Sequence, residues 1–150
     1  MTEFPPRSPA AKLHGIVYVG RMIDKIRLNL AEKLPADYQA NLGVGFDGNC
    51  TAFLQIDYQQ LTKLVATGAT DDEVIEWCFA HGRRPSEDEI NVWNEFMRKR
   101  GWNDEITKFL VRRKRESGWA DRAEIETMFG FIDADEGRPL PELAASAPES

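Results

Sequence analysis

Arg7, Arg21, Lys25 and Arg27, with Asp24 set among the last three, are the residues whose types and spacing best suit a site. On a helix Arg21 and Lys25 lie four residues apart on one face, where like charges cost about 0.2–0.5 kcal/mol unless something anionic neutralises them. Asp24, three residues from both Arg21 and Arg27, supplies part of that neutralisation. Two chemistries follow. In one, the group is a structural salt-bridge ladder of the kind common on solvated helices. In the other, Arg7, Ser8, Arg21, Lys25 and Arg27 surround a carboxylate or phosphate, Asp24 orients them or acts as a base, and His14 shuttles a proton. Asp24 and His14 are then the catalytic candidates, and the other five are the ligand-binding ones.

Other chemistries fit less well. His14 and His81 are far apart in sequence and neither belongs to an H-E-x-x-H or C-x-x-C spacing, so no metal and no cofactor is expected. Cys50 stands at an expected helix start, where the dipole favours a thiolate nucleophile, but Asp47 three residues earlier opposes it. Cys78 shares its helix with Val74, Ile75 and Trp77 and reads as core. Residues 43–48 match G-x-G-x-x-G, yet no buried strand precedes them, so a glycine-permitted loop is expected rather than a dinucleotide fingerprint. The basic runs 98–100 and 112–115 fill the last turns of expected helices, while acids fill first turns at 71–73, 87–89 and 104–105. Helix dipoles account for both signs, and no nucleic-acid partner is expected.

The positioning elements begin with the arm at residues 4–9, whose prolines fix φ and push their neighbours toward extended backbone. Held between prolines, Arg7 and Ser8 suit a ligand contact or a structural tether. Residues 15–19 are β-branched and aromatic, a short strand at most. Gly20 then leads into a helix from about Arg21, with Met22, Ile23, Ile26, Leu30 and Leu34 on its core face and Pro35 ending it. Leu28, among charges on the opposite face, points to a second buried contact.

Helices follow one another from there. Asn49 is expected to cap a short one through residue 56, and Asp57 another over 58–67. Thr70 with Glu73, and Ser86 with Glu89, form capping boxes for helices ending before Gly82 and Gly101. Asn103 is expected to open the next, with Ile106, Phe109 and Leu110 inward. Asp121 opens the last, with Ile125, Met128, Phe129 and Ile132. On the second capping-box helix Ile90, Trp93, Phe96 and Met97 share a face.

A chain of 150 residues, 42% hydrophobic, can bury a single core. Two cysteines are too few for a secreted disulfide scaffold, and no apolar run reaches a membrane span, so a cytoplasmic protein with no membrane partner is expected. The net charge of −6 falls entirely within residues 121–150, which hold eight acids against Arg122 and Arg138. The expected fold is mainly α: a single-domain bundle of about six or seven short helices with an extended N-terminal arm, over residues 1–137. Residues 138–150 are expected to be a disordered acidic tail.

Pro6-Arg7-Ser8-Pro9, Leu13-His14-Gly15 and the run Arg21-Met22-Ile23-Asp24-Lys25-Ile26-Arg27 resemble, in that order, a bacterial family catalogued as domain of unknown function 5069. Similar features recur at Phe53-Leu54-Gln55-Ile56-Asp57, at residues 72–77 and at residues 132–138. The resemblance implies a small, soluble, single-domain bacterial protein and no particular reaction. Where family members often carry a second glycine before Gly15, this chain has His14. The functional expectation is a small-molecule site, enzymatic or not, for an anionic metabolite held by the arm and first helix. The alternative is a non-enzymatic helical interaction module, with Phe46, Trp102 and Trp119 as an exposed apolar patch.

Overall fold

In the computed structural model, which describes residues 2–140, the polar arm leads through a small hairpin into the first helix. β1 (Lys12–Leu13) pairs antiparallel with β2 (Ile16–Val17), Lys12 opposite Val17 and Leu13 opposite Ile16. The two-residue turn between them is His14 and Gly15, both at positive φ (50° and 80°), as a type I′ turn requires. β2 lies in the segment, residues 15–19, where the sequence allows one short strand, whereas β1 lies ahead of it.

α1 (Val19–Leu30) starts before Arg21, so Gly20 lies inside the helix rather than ahead of it. It also stops early: Glu32 takes a left-handed conformation, φ 57°, and the chain leaves the helix before Pro35. Leu30 is therefore exposed, not core, although Leu34 is buried again beyond the turn. Met22, Ile23 and Ile26 are buried, and so is Leu28 on the polar side, together with Arg21, Asp24 and Lys25. Both faces of α1 are covered.

α2 (Ala36–Gln39) is one turn, and α3 (Phe46–Leu54) begins four residues earlier than an Asn49 cap would allow. The glycine run is a backbone device. Gly43 and Gly45 have positive φ, and Gly43 N donates to the Asp47 carboxylate at 3.0 Å, closing the loop onto the helix start. α4 (Tyr58–Ala66) is capped by Asp57, which accepts from Gln60 N at 3.0 Å. α5 (Asp71–His81) carries the full Thr70–Glu73 capping box. α6 (Glu87–Lys99) carries the reciprocal Ser86–Glu89 pair.

By their contacts the described residues form two compact units that divide between Asn94 and Glu95. In the first, α1 packs on α4 and β1, and α4 packs on α5. Trp93 Nε1 donates to Val17 O at 3.1 Å, and Asn94 bonds both Val17 N and Gly15 O at 3.0 and 2.8 Å. These two residues of α6 hold the hairpin, and with it the start of α1.

The second unit contains the last turn of α6, α7 (Thr107–Glu116) and α8 (Met128–Asp135), with α7 packed on α8. Here two starts shift. Asp104 accepts from Gly101 N and Ile106 N at 2.8 and 2.9 Å, which builds a turn where the sequence predicts a helix opened by Asn103. Likewise residues 121–126 form turns, and Thr127 caps α8 by accepting from Gly130 N at 3.0 Å. Leu110 is buried, whereas Phe96 and Phe109, both expected inward, are exposed. Eight helices among the described residues make the protein mainly α, as expected. The expected tail falls largely on residues 141–150, outside the described residues. No helix among the described residues is long and apolar enough to cross a membrane.

Candidate functional site

The structure separates the five-residue charge group of α1 and the arm into two clusters, both in the first unit. In one, Lys25 Nζ donates to Asp47 Oδ1 at 3.0 Å and to the Tyr18 hydroxyl at 3.4 Å, while that hydroxyl donates to Asp47 Oδ1 at 2.6 Å. The cluster is closed: the Lys25 and Asp47 side chains are 5% and 0% exposed. Burial, and after it the Asp47 charge, push the Tyr18 phenol well above its ordinary range, so it remains a donor. Phe46 meets the Tyr18 ring edge-on at 5.7 Å and is half-buried by it.

The same carboxylate removes Cys50 as a nucleophile. Cys50 is fully buried, and burial followed by the Asp47 charge push its thiol far up. Burial pushes Cys78 up to about 12, in keeping with its place in the core.

The second cluster lies at an edge. Arg7 grips Asp24 three times, with Nε and the backbone N on Oδ2 at 2.9 and 3.0 Å and NH2 on Oδ1 at 3.0 Å. Its outer side reaches Asp71, NH1 to Oδ2 at 2.8 Å and NH2 to Oδ1 at 3.2 Å. Arg27 NH1 meets the same Asp71 Oδ1 at 2.7 Å and lies 3.7 Å from Asp24 Oδ1, and its NH2 donates to Ala69 O at 3.1 Å. Gly20 explains how Arg7 fits. A Cβ there would stand 2.9 Å from the Arg7 guanidinium carbon, so the glycine costs helix propensity but lets the guanidinium lie on the helix.

Charge is balanced within this second cluster, two arginines against two aspartates. Partial burial works against the charge of Arg7, but its bonds to Asp24 and Asp71 outweigh that and raise its pKa. Burial alone would lift the Asp71 carboxyl, yet the bonds from Arg7 and Arg27 hold it below the usual carboxylate range.

Of the residues singled out in the sequence, Arg7, Asp24 and Arg27 come together at the edge and Lys25 goes to the closed cluster. Arg21 is buried and donates from NH1 to the Arg7 carbonyl at 3.1 Å, anchoring the arm. Ser8 Oγ accepts from Ala10 N at 3.2 Å, which turns the arm. Asp24 has both oxygens bound by the Arg7 guanidinium. His14 is not joined to Asp24; its Nε2 lies 2.8 Å from Asp72 Oδ1 on α5. Pro6 and Pro9 are buried, so the arm is tethered as well as charged. Trp119 is half-buried against Phe131, and of the three aromatics expected in a patch only Trp102 is exposed.

Asp47, Asp71 and Asp72 were legible only as cap or loop residues, because their partners are distant in sequence; Arg7 and Asp71 are 64 residues apart. One signal pointed to them: four cations on the arm and first helix face a single local carboxylate, Asp24, so others had to come from elsewhere.

The fold and these clusters define a mainly helical protein whose first helix is a buried charged element tied to an N-terminal arm. The chain belongs to the family described as a domain of unknown function (DUF5069), whose model matches residues 3–138 and so spans both clusters. No curated protein matches the sequence.

Proposed function

We propose that the first unit binds a small anionic metabolite, a carboxylate or phosphate, in the clamp formed by Arg7 and Arg27. One observation carries this reading: the two guanidiniums converge on one carboxylate, Asp71, which is still 32% exposed. A ligand carboxylate or phosphate makes the same charge-assisted bonds, so Asp71 is the internal anion that such a ligand replaces. Asp24 and Gly20 hold Arg7 in its bound orientation, which lowers the ordering cost of binding. Arg21 fixes the arm by the Arg7 carbonyl. Lys25, locked on Asp47, keeps α1 in place behind the site. His14 holds Asp72, next to Asp71, and so restrains the turn that supplies the internal anion.

This is a binding function, and neither Asp24 nor His14 is assigned a proton transfer in it. We also propose a bacterial setting, as the family resemblance implies, and a cytoplasmic one, supported by two free, buried cysteines of the kind a reducing compartment maintains. A thermal-shift screen with phosphate, citrate and succinate, against chloride at equal ionic strength, tests the clamp. A ligand at a hundredfold its dissociation constant adds about 2.7 kcal/mol of stability, and Arg27→Gln should remove that gain. No shift with any anion, together with a stable protein complex, would favour the interaction-module reading.

A further inference from the structure

We propose that the exposed face of α7 is a docking surface for an acidic, amphipathic segment of another protein. The helix carries Lys108 and the run Arg112 to Arg115 against one acid, Glu116. Dipole stabilisation accounts for cations in its last turn, but not for Lys108 in the first turn or for Glu116 at the carboxyl end. Two of the cations serve the second unit itself. Lys114 Nζ donates to Ile125 O at 2.9 Å, and Arg113 lies over the Phe131 ring at 5.3 Å.

The remaining three, Lys108, Arg112 and Arg115, are exposed and stand at i, i+4 and i+7, a continuous cationic stripe. Arg112 reaches Glu116 only at 3.8 Å. Beside the stripe, Phe109 and Val111 are 39% and 48% exposed although Leu110 between them already supplies the buried contact. A solvated helix needs no apolar residues there; a helix that receives a partner does.

Charge complementarity selects an anionic occupant, and Phe109 with Val111 select one that also offers apolar side chains. Nucleic acid fits less well. The guanidiniums of Arg112 and Arg113 lie over the Phe109 ring at 5.2 and 5.9 Å, where a stacking base would sit. Nothing in this surface depends on the Arg7 clamp.

Fluorescence anisotropy on the full chain tests it at about 150 mM salt, where weak surface electrostatics are largely screened. The probes are a labelled peptide with Glu and Leu at helical spacing, the same peptide with Ser for Leu, and an oligothymidylate of equal charge. The Glu/Leu peptide is expected to bind at least about tenfold more tightly than the other two. Arg112→Glu with Arg115→Glu, and separately Phe109→Ser with Val111→Ser, should each weaken it by about tenfold or more while circular dichroism stays unchanged. Tighter binding of the oligonucleotide, equal binding of the Glu/Ser peptide, or no binding of the Glu/Leu peptide would overturn the proposal.

Discussion

Asp24 and Lys25 are neighbours in sequence, yet their side chains enter different surroundings. Lys25 is closed in with Asp47 and Tyr18, whereas Asp24 leads through Arg7 to the partly exposed Asp71. Both groups pair opposite charges with good geometry, so geometry alone does not separate structure from site. Access does. A pair that water cannot reach has no anion to exchange, and its removal is felt mainly as lost stability. At the edge, Asp71 can be displaced without opening the core, because two arginines remain to receive what replaces it.

The largest effect should come from the closed group. Lys25→Met leaves the Asp47 charge buried without its cation, and urea denaturation should show a loss of about 3–5 kcal/mol. Asp24→Asn should cost less, about 2–3 kcal/mol, since Arg7 and Arg27, 33% and 24% exposed, can turn toward water once released. Equal losses from the two variants would break the distinction between closed and open groups.

Local signals in the sequence carried the helices well and the charged clusters poorly. Thr70–Glu73 and Ser86–Glu89 announced α5 and α6, because a capping box satisfies orphan N–H groups with residues three apart. Asp104 was harder to read: its carboxylate bonds the backbone on both sides of itself, so a capping residue type became a turn and α7 started later. The arm and α1 displayed their cations openly, but Asp71 looked like an ordinary first-turn acid. No local rule pairs it with a residue 64 positions away, and only the local excess of cations signalled the need.

That dual position of Asp71, in a helix first turn and in the clamp, offers smaller perturbations. Thr70→Ala removes the cap beneath it and should cost about 1 kcal/mol by thermal melting. A loss near zero would mean that the arginines alone hold the turn. The pH dependence should be smaller still. The folded Asp71 carboxyl sits below its unfolded value, so its contribution is complete above the ordinary carboxylate range and is lost as pH falls through the lowered value. Because Asp71 is still partly exposed to solvent, the effect is modest, and Asp71→Asn should flatten the stability curve slightly below about pH 4. An unchanged curve would show that the arginines contribute nothing to the Asp71 charge.

Calorimetric titration of phosphate and citrate into the wild-type chain and Asp71→Asn tests the clamp most directly. With the Asp71 charge gone, Arg7 and Arg27 keep only Asp24 as a local anion, and the variant should bind at least one of the two anions about tenfold more tightly than wild type. Adding Arg27→Gln to Asp71→Asn should abolish that gain. If Asp71→Asn binds both anions no better than wild type, Asp71 is a rung of a structural ladder and the clamp is not a site.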